Sequence, residues 1–142
     1  MRIHHIGYLV DSIENALLRF EGLGFVRVGD ISEDTQRGIH ILFMRNEGYV
    51  IELIAPVNEE SPSDALRRQY KNTPYHICYE TDDLDKTVEN LLGSKTGYMM
   101  LNHPSPAQCI PGSPRVAFLL NKHMGMIELV EGPCSSLDKR IE

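Results

Sequence analysis

Histidine and glutamate recur in matching short strings in the two halves of the chain. The string His5-Ile6-Gly7-Tyr8 is matched by His76-Ile77-Cys78-Tyr79, and Ile51-Glu52-Leu53 is matched by Ile127-Glu128-Leu129. Imidazole nitrogens and carboxylate oxygens are common ligands of divalent transition metals. Two related halves that face each other would place two of each around one point. The repeat therefore predicts a metal site whose ligands are His5, Glu52, His76 and Glu128.

Both glutamates stand where an ionised carboxylate is costly to bury. Side chains at i and i+2 of a strand share a face, so Glu52 points with Val50 and Ile54, and the same pattern recurs around Glu128. The neighbours on the other face are apolar too, which predicts strands buried on both sides. A carboxylate there is destabilising unless it is paired or bound to a metal.

The choice among the histidines follows from the repeat. One histidine on an apolar face is usually a hydrogen-bonded core residue, but two in register, each with a buried glutamate in its own half, favour metal ligands. His4 is the alternative in the first half, and we choose His5 because it aligns with His76. The histidines without a repeat partner are assigned to the surface or to loops: His40, His103 and His123.

The elements that would position these residues also come twice. The first module, residues 1–56, has predicted strands at 3–10, 24–30, 37–44 and 49–55 and a helix at 11–21 that Asp11 and Glu14 begin. The second, residues 74–131, has predicted strands at 75–80, 97–101, 115–121 and 125–131 and a helix at 83–92. Both are βαβββ, which predicts an α+β fold of one domain over residues 1–142.

Two segments lie outside this repeat of strands and helices. The linker at 57–73 contains a predicted short helix that Ser61 caps, with Pro62 at its first position. The loop at 104–114 holds four prolines and predicts either a binding lid or a rigid connection. A polar tail at 132–142 ends the chain.

Composition excludes several classes of function. The formal net charge of −6 argues against a nucleic-acid partner, which needs a basic stripe. There is no apolar run of the roughly 18 residues that spanning a bilayer requires, and no signal-peptide core, so no membrane partner is expected. Three cysteines without paired spacing fit a reducing compartment, and we predict a cytoplasmic protein.

Four strings in order carry a resemblance to a known family. They are His5-Ile6-Gly7-Tyr8-Leu9-Val10, Ile51-Glu52-Leu53-Ile54-Ala55-Pro56, Tyr75-His76-Ile77-Cys78-Tyr79-Glu80 and Met126-Ile127-Glu128-Leu129-Val130-Glu131. With them, residues 3–131 resemble the vicinal oxygen chelate superfamily, and most of all its methylmalonyl-CoA epimerase and glyoxalase I group. The resemblance implies tandem modules forming a cupped mixed sheet with helices outside, of the glyoxalase/bleomycin-resistance type.

The resemblance also implies an activity and a cofactor. A divalent ion (Co²⁺, Mn²⁺, Ni²⁺, Zn²⁺ or Fe²⁺) held by the four repeated residues would act as a Lewis acid for proton transfer beside a carbonyl. The first hypothesis is an isomerase that epimerises an acyl-CoA such as methylmalonyl-CoA. The alternatives are a glyoxalase I-type lactoylglutathione lyase, a metal-free antibiotic-binding protein of the same fold, and an extradiol dioxygenase, which usually has a longer chain.

Three positions depart from the pattern of the epimerases. Those proteins commonly carry a glutamate, proposed as a base, just before the glycine of the third strand, where this chain has Gln36-Arg37-Gly38. Gln36 is the catalytic candidate at this position, but glutamine cannot accept a proton at neutral pH. The candidates for the base are therefore Glu33 or Asp34 nearby, and Glu128 if it leaves the metal. Epimerases often have glutamine at the position equivalent to Glu52, so Glu52 favours the glyoxalase pattern. After the penultimate strand, this chain has Asn121-Lys122 where epimerases often have His-Pro-Lys.

The sequence is compatible with two ways of assembling the site. The linker allows the two modules to form one site within a chain or to pair across two chains. Exposed edge strands tend to be paired or covered, which favours a homodimer. The expected partners are therefore a small thioester or thiol adduct and a second copy of the chain.

Overall fold

The computed structural model describes residues 1–134, and in them it contains three helices and nine strands. In chain order these are β1 (Arg2–Leu9), α1 (Ile13–Glu21), β2 (Val26–Asp34), β3 (Ile39–Asn46), β4 (Tyr49–Pro56), α2 (Asp64–Tyr70), β5 (Thr73–Thr81), α3 (Leu84–Gly93), β6 (Tyr98–Met100), β7 (Ser105–Pro106), β8 (Arg115–Asn121) and β9 (Gly125–Glu131). Most of the predicted tail lies outside the described residues.

The described chain divides into two compact units. One contains residues 5–75 and the other contains residues 1–4 with 76–134. Within residues 1–134, no helix combines the length and the apolar composition that crossing a bilayer demands.

The first module forms a mixed sheet in the order β2-β3-β4-β1. β2 and β4 each pair antiparallel with β3, whereas β1 pairs parallel with β4. The hairpin between β3 and β4 closes at Glu47-Gly48, where Glu47 has a φ of 53°. The parallel pair sets Gly7 of β1 opposite Glu52 of β4, which brings the repeated strings of this half side by side.

The second module repeats this arrangement in the order β5-β9-β8-β6. β5 and β9 are parallel, and they set Cys78 opposite Glu128, as Gly7 stands opposite Glu52 in the first module. β8 pairs antiparallel with β9 and β6, and the two-residue strand β7, which the sequence did not predict, pairs with β8. The predicted α+β class with tandem βαβββ modules is confirmed.

Both long helices begin at residues whose side chains accept a backbone N–H. Ser12 accepts from Asn15 at 3.2 Å, and Asp83 accepts from Lys86 at 3.0 Å. The predicted first cap, Asp11, was wrong by one residue because its carboxylate accepts from Arg67 at 2.9 Å and from Asn72 at 3.2 Å. The hydrogen bond from Arg67 also holds the pKa of Asp11 below its usual value.

The linker helix and the proline-rich loop differ from their predictions in detail. α2 begins at Asp64 rather than near Pro62, because Ser61 lies in a preceding turn and accepts from the Asn58 N–H at 3.3 Å. In the loop, Ala107 and Ile110 are buried and Ala107 donates to the Pro114 carbonyl at 2.9 Å. This packing agrees with a rigid connection.

Each sheet has one face covered by its helix, which we call the helix face. In the first module the helix-face core contains Leu42, Met44, Ile51, Leu53 and Ala55, packed with Ile13 and Leu17 of α1. In the second module Leu84 and Val88 of α3 pack with a matching set: Ala117, Leu119, Ile127 and Leu129.

The helix-face core of the first module gives a direct stability prediction. Leu53 is fully buried, so Leu53→Ala removes apolar contacts and leaves a cavity, and we expect the free energy of unfolding to fall by about 2–5 kcal/mol. Chemical denaturation followed by circular dichroism measures the loss. Leu18 on α1 is 62% exposed, and Leu18→Ala should change the unfolding free energy by less than about 0.5 kcal/mol. Equal losses for the two variants would contradict the assigned core.

Candidate metal centre

The first His–Glu pair lies on the face of its sheet opposite the helix, which we call the ligand face. Glu52 and His5 alternate with helix-face residues on β4 and β1, and Glu52 is 5% exposed and His5 1% exposed. The His5 Nε2 atom lies 3.4 Å from the Glu52 Oε1 atom. The predicted burial of the strand on both faces is thus observed, since Ile51 and Leu53 are buried on the other side.

The second pair reproduces the first within its own module. The His76 Nε2 atom on β5 lies 3.2 Å from the Glu128 Oε1 atom on β9. Both residues are 4% exposed. In each half of the repeat, the first and last strands therefore bring the Nε2 atom of one imidazole against one buried carboxylate.

The spacing within each pair fits two ligands of one metal ion. Ligands at neighbouring corners of an octahedral ion, each about 2.1 Å from it, lie about 3 Å apart. The observed 3.4 and 3.2 Å are close to that value, so little movement is needed for either pair to bind. The donors, imidazole nitrogen and carboxylate oxygen, are those that transition-metal ions accept. The residues present therefore fit a divalent ion.

An aromatic ring stands beside each imidazole. Phe43 on β3 contacts His5 and Phe118 on β8 contacts His76, each with ring centroids 5.5 Å apart, at interplanar angles of 77° and 88°. The phenylalanines are the antiparallel register partners of Glu52 and Glu128. Phe43 and Phe118 are thus the third pair of equivalent residues in the two halves, after the histidines and the glutamates.

These phenylalanines are not among the residues predicted from the sequence, although the signal is present. Phe43 precedes Asn46 and Phe118 precedes Asn121 at the same spacing, just before the turn that leads to each glutamate strand. The second turn is one residue longer, because Glu128 follows Phe118 by one more position than Glu52 follows Phe43. An ungapped comparison anchored on the glutamates therefore does not align the two rings.

Glu33, predicted as a catalytic candidate, lies away from the His5–Glu52 pair. It is the register partner of His40, whose own partner on β4 is Ala55 of the helix-face core. Its Oε1 atom lies 3.1 Å from the His40 Nε2 atom, and both side chains are more than 40% exposed. The structure therefore places Glu33 on the helix face, on the other side of the sheet from Glu52.

Gln36, the other candidate, lies in the exposed turn between β2 and β3. Beside it, Arg37 donates from Nη1 to Asp34 Oδ2 at 2.9 Å and from its backbone N–H to Asp34 Oδ1 at 3.0 Å. Asp34 is 2% exposed and is held by this ion pair. The turn that carries Gln36 is thus anchored at one end by a buried carboxylate.

The three histidines without a repeat partner and Lys122 lie at the surface. His40 contacts Glu33, and His103 and His123 are exposed, as predicted. Lys122 lies in the exposed turn between β8 and β9, with its aliphatic chain against Gly97.

Comparison with known proteins identifies a family and a set of relatives. A family model described as Glyoxalase/Bleomycin resistance protein/Dioxygenase superfamily matches residues 4–118. An ethylmalonyl-CoA/methylmalonyl-CoA epimerase of Cereibacter sphaeroides is 27% identical over 119 residues, covering 83% of this chain and 87% of the relative. A mitochondrial methylmalonyl-CoA epimerase of Dictyostelium discoideum is 25% identical over 133 residues, covering 92% of this chain and 78% of the relative.

Solved structures show the same fold. A methylmalonyl-CoA epimerase from Mycobacterium tuberculosis superposes with a TM-score of 0.79 at 20% identity, over 97% of this chain and 91% of that chain. At that identity the likeness establishes the fold alone.

Proposed function

Because the chain belongs to the glyoxalase/bleomycin resistance protein/dioxygenase superfamily, we propose that it is a divalent-metal-dependent isomerase that transfers a proton at the carbon next to the carbonyl of an acyl-CoA. Methylmalonyl-CoA is the first substrate to test, since the relatives with matching sequences are epimerases named for it. The observation that carries the proposal is the duplicated buried His–Glu pair, at 3.4 Å in one module and 3.2 Å in the other.

The metal ligands in this proposal are His5, Glu52, His76 and Glu128 together. Two buried carboxylates that served only to stabilise a fold would be replaceable by apolar residues at little cost or even with gain. Keeping one in each module beside an imidazole supports a shared ligand role. When bound, a divalent ion supplies Lewis-acid stabilisation of the negative charge that develops on the substrate carbonyl oxygen.

Glu128 is our candidate for the base that removes the proton. Glu33 is on the helix face of its sheet, and Gln36 cannot accept a proton at neutral pH, so neither supports a second base. A single carboxylate returns the proton mainly to the face from which it came. We therefore expect the α-proton to exchange with solvent faster than the carbon inverts.

The test is proton exchange on methylmalonyl-CoA in D₂O, followed by NMR, with metal content measured on the same sample. We expect near-stoichiometric divalent metal and a loss of the α-proton signal that requires it. The double variant His5→Ala/His76→Ala should lose both. Metal-loaded protein that exchanges the α-proton no faster than buffer would exclude the acyl-CoA epimerase.

A glyoxalase-type lyase is the second candidate, favoured by two residues. Glu52 supplies a carboxylate where epimerases often have glutamine, and Gln36 lacks the carboxylate that epimerases commonly have. Such an enzyme would convert the hemithioacetal of glutathione and an α-oxoaldehyde, and the rate of thioester formation, followed by ultraviolet absorption, measures the activity. A metal-free binding protein of the same fold is disfavoured by the buried glutamates and would be indicated by a protein that retains no divalent ion.

The homodimer is also part of the proposal. β2 is an outer strand of the first sheet and β6 of the second, and outer strands offer unpaired backbone groups to a second copy. Light scattering at several concentrations should give twice the monomer mass. A monomer that retains full activity would contradict this part.

A further inference from the structure

We propose that Phe43 and Phe118 are positioning residues that hold the His5 and His76 imidazoles in the orientation for metal binding. The inference rests on the proposed metal site and extends it to residues that do not themselves contact the ion. Its basis is the same geometry found twice in the chain, once in each module.

Each phenylalanine lies beside both the histidine and the glutamate of its module. Phe43 is the register partner of Glu52 and its ring lies 5.5 Å from the His5 ring, nearly perpendicular to it. Phe118 has the same relation to Glu128 and His76. Because two modules with different neighbouring residues keep this triangle, the ring is associated with the ligand pair itself.

A ring contact of this kind answers a specific physical need. The torsion that turns an imidazole about its bond to Cβ is broad, so the side chain does not fix its own ring plane. Metal-binding histidines are usually oriented by a hydrogen-bonded partner outside the metal shell, and losing that partner typically weakens metal affinity about 10- to 100-fold, which sets the scale for a partner that orients the ring by packing. A perpendicular aromatic ring limits the rotation because edge-to-face packing is the favoured aromatic geometry.

Packing alone is the competing explanation, and the chain offers a matched control for it. Phe20 on the helix side of the first module also makes a perpendicular ring contact, with Tyr8 at 5.1 Å, and packs against the helix-face core. Phe20→Leu therefore removes two aromatic contacts of the same type, with Tyr8 and with Phe25, from the same module on the side away from the ligand pair. Tyr98→Leu serves as the helix-face control in the second module.

The first measurement is Co²⁺ affinity of the full chain by titration of its visible absorption. We expect Phe43→Leu and Phe118→Leu each to weaken Co²⁺ binding about tenfold, the double variant further, and Phe20→Leu and Tyr98→Leu less than about twofold. Phe118→Tyr keeps an aromatic ring at position 118, which is the less buried of the two positions, and should bind Co²⁺ as tightly as the parent chain. Equal losses in Phe43→Leu and Phe20→Leu at equal stability would overturn the positioning role.

The second measurement uses metal-free protein and decides the inference even if the chain binds no ion. In ¹⁵N-histidine-labelled protein, long-range NMR correlations report the tautomer and the exchange broadening of each imidazole. We expect one tautomer for His5 in the parent chain and a mixture or broadening in Phe43→Leu, with His76 unchanged, and the converse for Phe118→Leu. Sharp, unchanged tautomers in both variants would overturn the inference, whereas absence of Co²⁺ binding in the parent chain would overturn the proposed metal site.

Discussion

Replacing Glu128 with glutamine should lower kcat/KM for α-proton exchange on methylmalonyl-CoA by roughly 10³-fold or more. A positioned base typically contributes about 10²–10⁴-fold, and loss of an anionic ligand adds to that. The glutamine nearly preserves the size of the side chain at a position that is 4% exposed, so the fold should survive. Steady-state exchange rates, together with metal content after dialysis, measure the two consequences separately.

Glu52→Gln is the matched control for this prediction. Glu52 has the same burial and the same imidazole contact as Glu128, but the epimerases that this chain resembles often have glutamine there. The amide oxygen of the introduced glutamine can still bind a divalent metal, so we expect kcat/KM to stay within about tenfold of the parent. A severe loss in Glu52→Gln with activity retained in Glu128→Gln would reverse the roles assigned to the two glutamates.

The repeat allowed the fold and the two buried His–Glu pairs to be predicted because strand alternation leaves few choices. Glu52 sits between Ile51 and Leu53, so a strand buried on both sides necessarily turns its carboxylate to the face away from the helix. The same reasoning applies to Glu128. The helix start was misplaced by one residue because a distant contact, Arg67 with Asp11, engaged the carboxylate expected to cap the helix.

The position of Glu33 could not be predicted because the sequence indicates the end of β2 too early. A strand that ended at residue 30 would leave Glu33 in a loop with either face open to it. β2 instead continues through Asp34, with a register shift between Val28 and Ser32 that Gly29 permits at a φ of 84°. Ile31 packs against the helix-face core, and Glu33, two residues on, points to the same side.

Gln36→Glu should convert slow inversion into efficient epimerisation. The substitution places a carboxylate where the resembling epimerases commonly carry one, and it does so in an exposed turn, where a new charge has little effect on folding. Because a second positioned acid–base group contributes about 10²–10⁴-fold, we expect at least a tenfold gain in the rate of inversion at the α-carbon. The rate of α-proton exchange should change much less, since Glu128 already removes the proton.

Inversion and exchange can be measured separately on the same substrate, which makes this prediction decisive between the two candidate reactions. Circular dichroism of a single methylmalonyl-CoA epimer reports inversion, and NMR in D₂O reports exchange. Glu33→Gln is the control, because it alters a carboxylate three residues away that lies on the helix face, and neither rate should move by more than about twofold. If Gln36→Glu leaves inversion unchanged while the parent converts a glutathione hemithioacetal, position 36 lies outside the reaction and the lyase is the better assignment. A gain in inversion alone would instead mean that one base already removes the proton, and that the turn before β3 determines whether the proton can return to the opposite face.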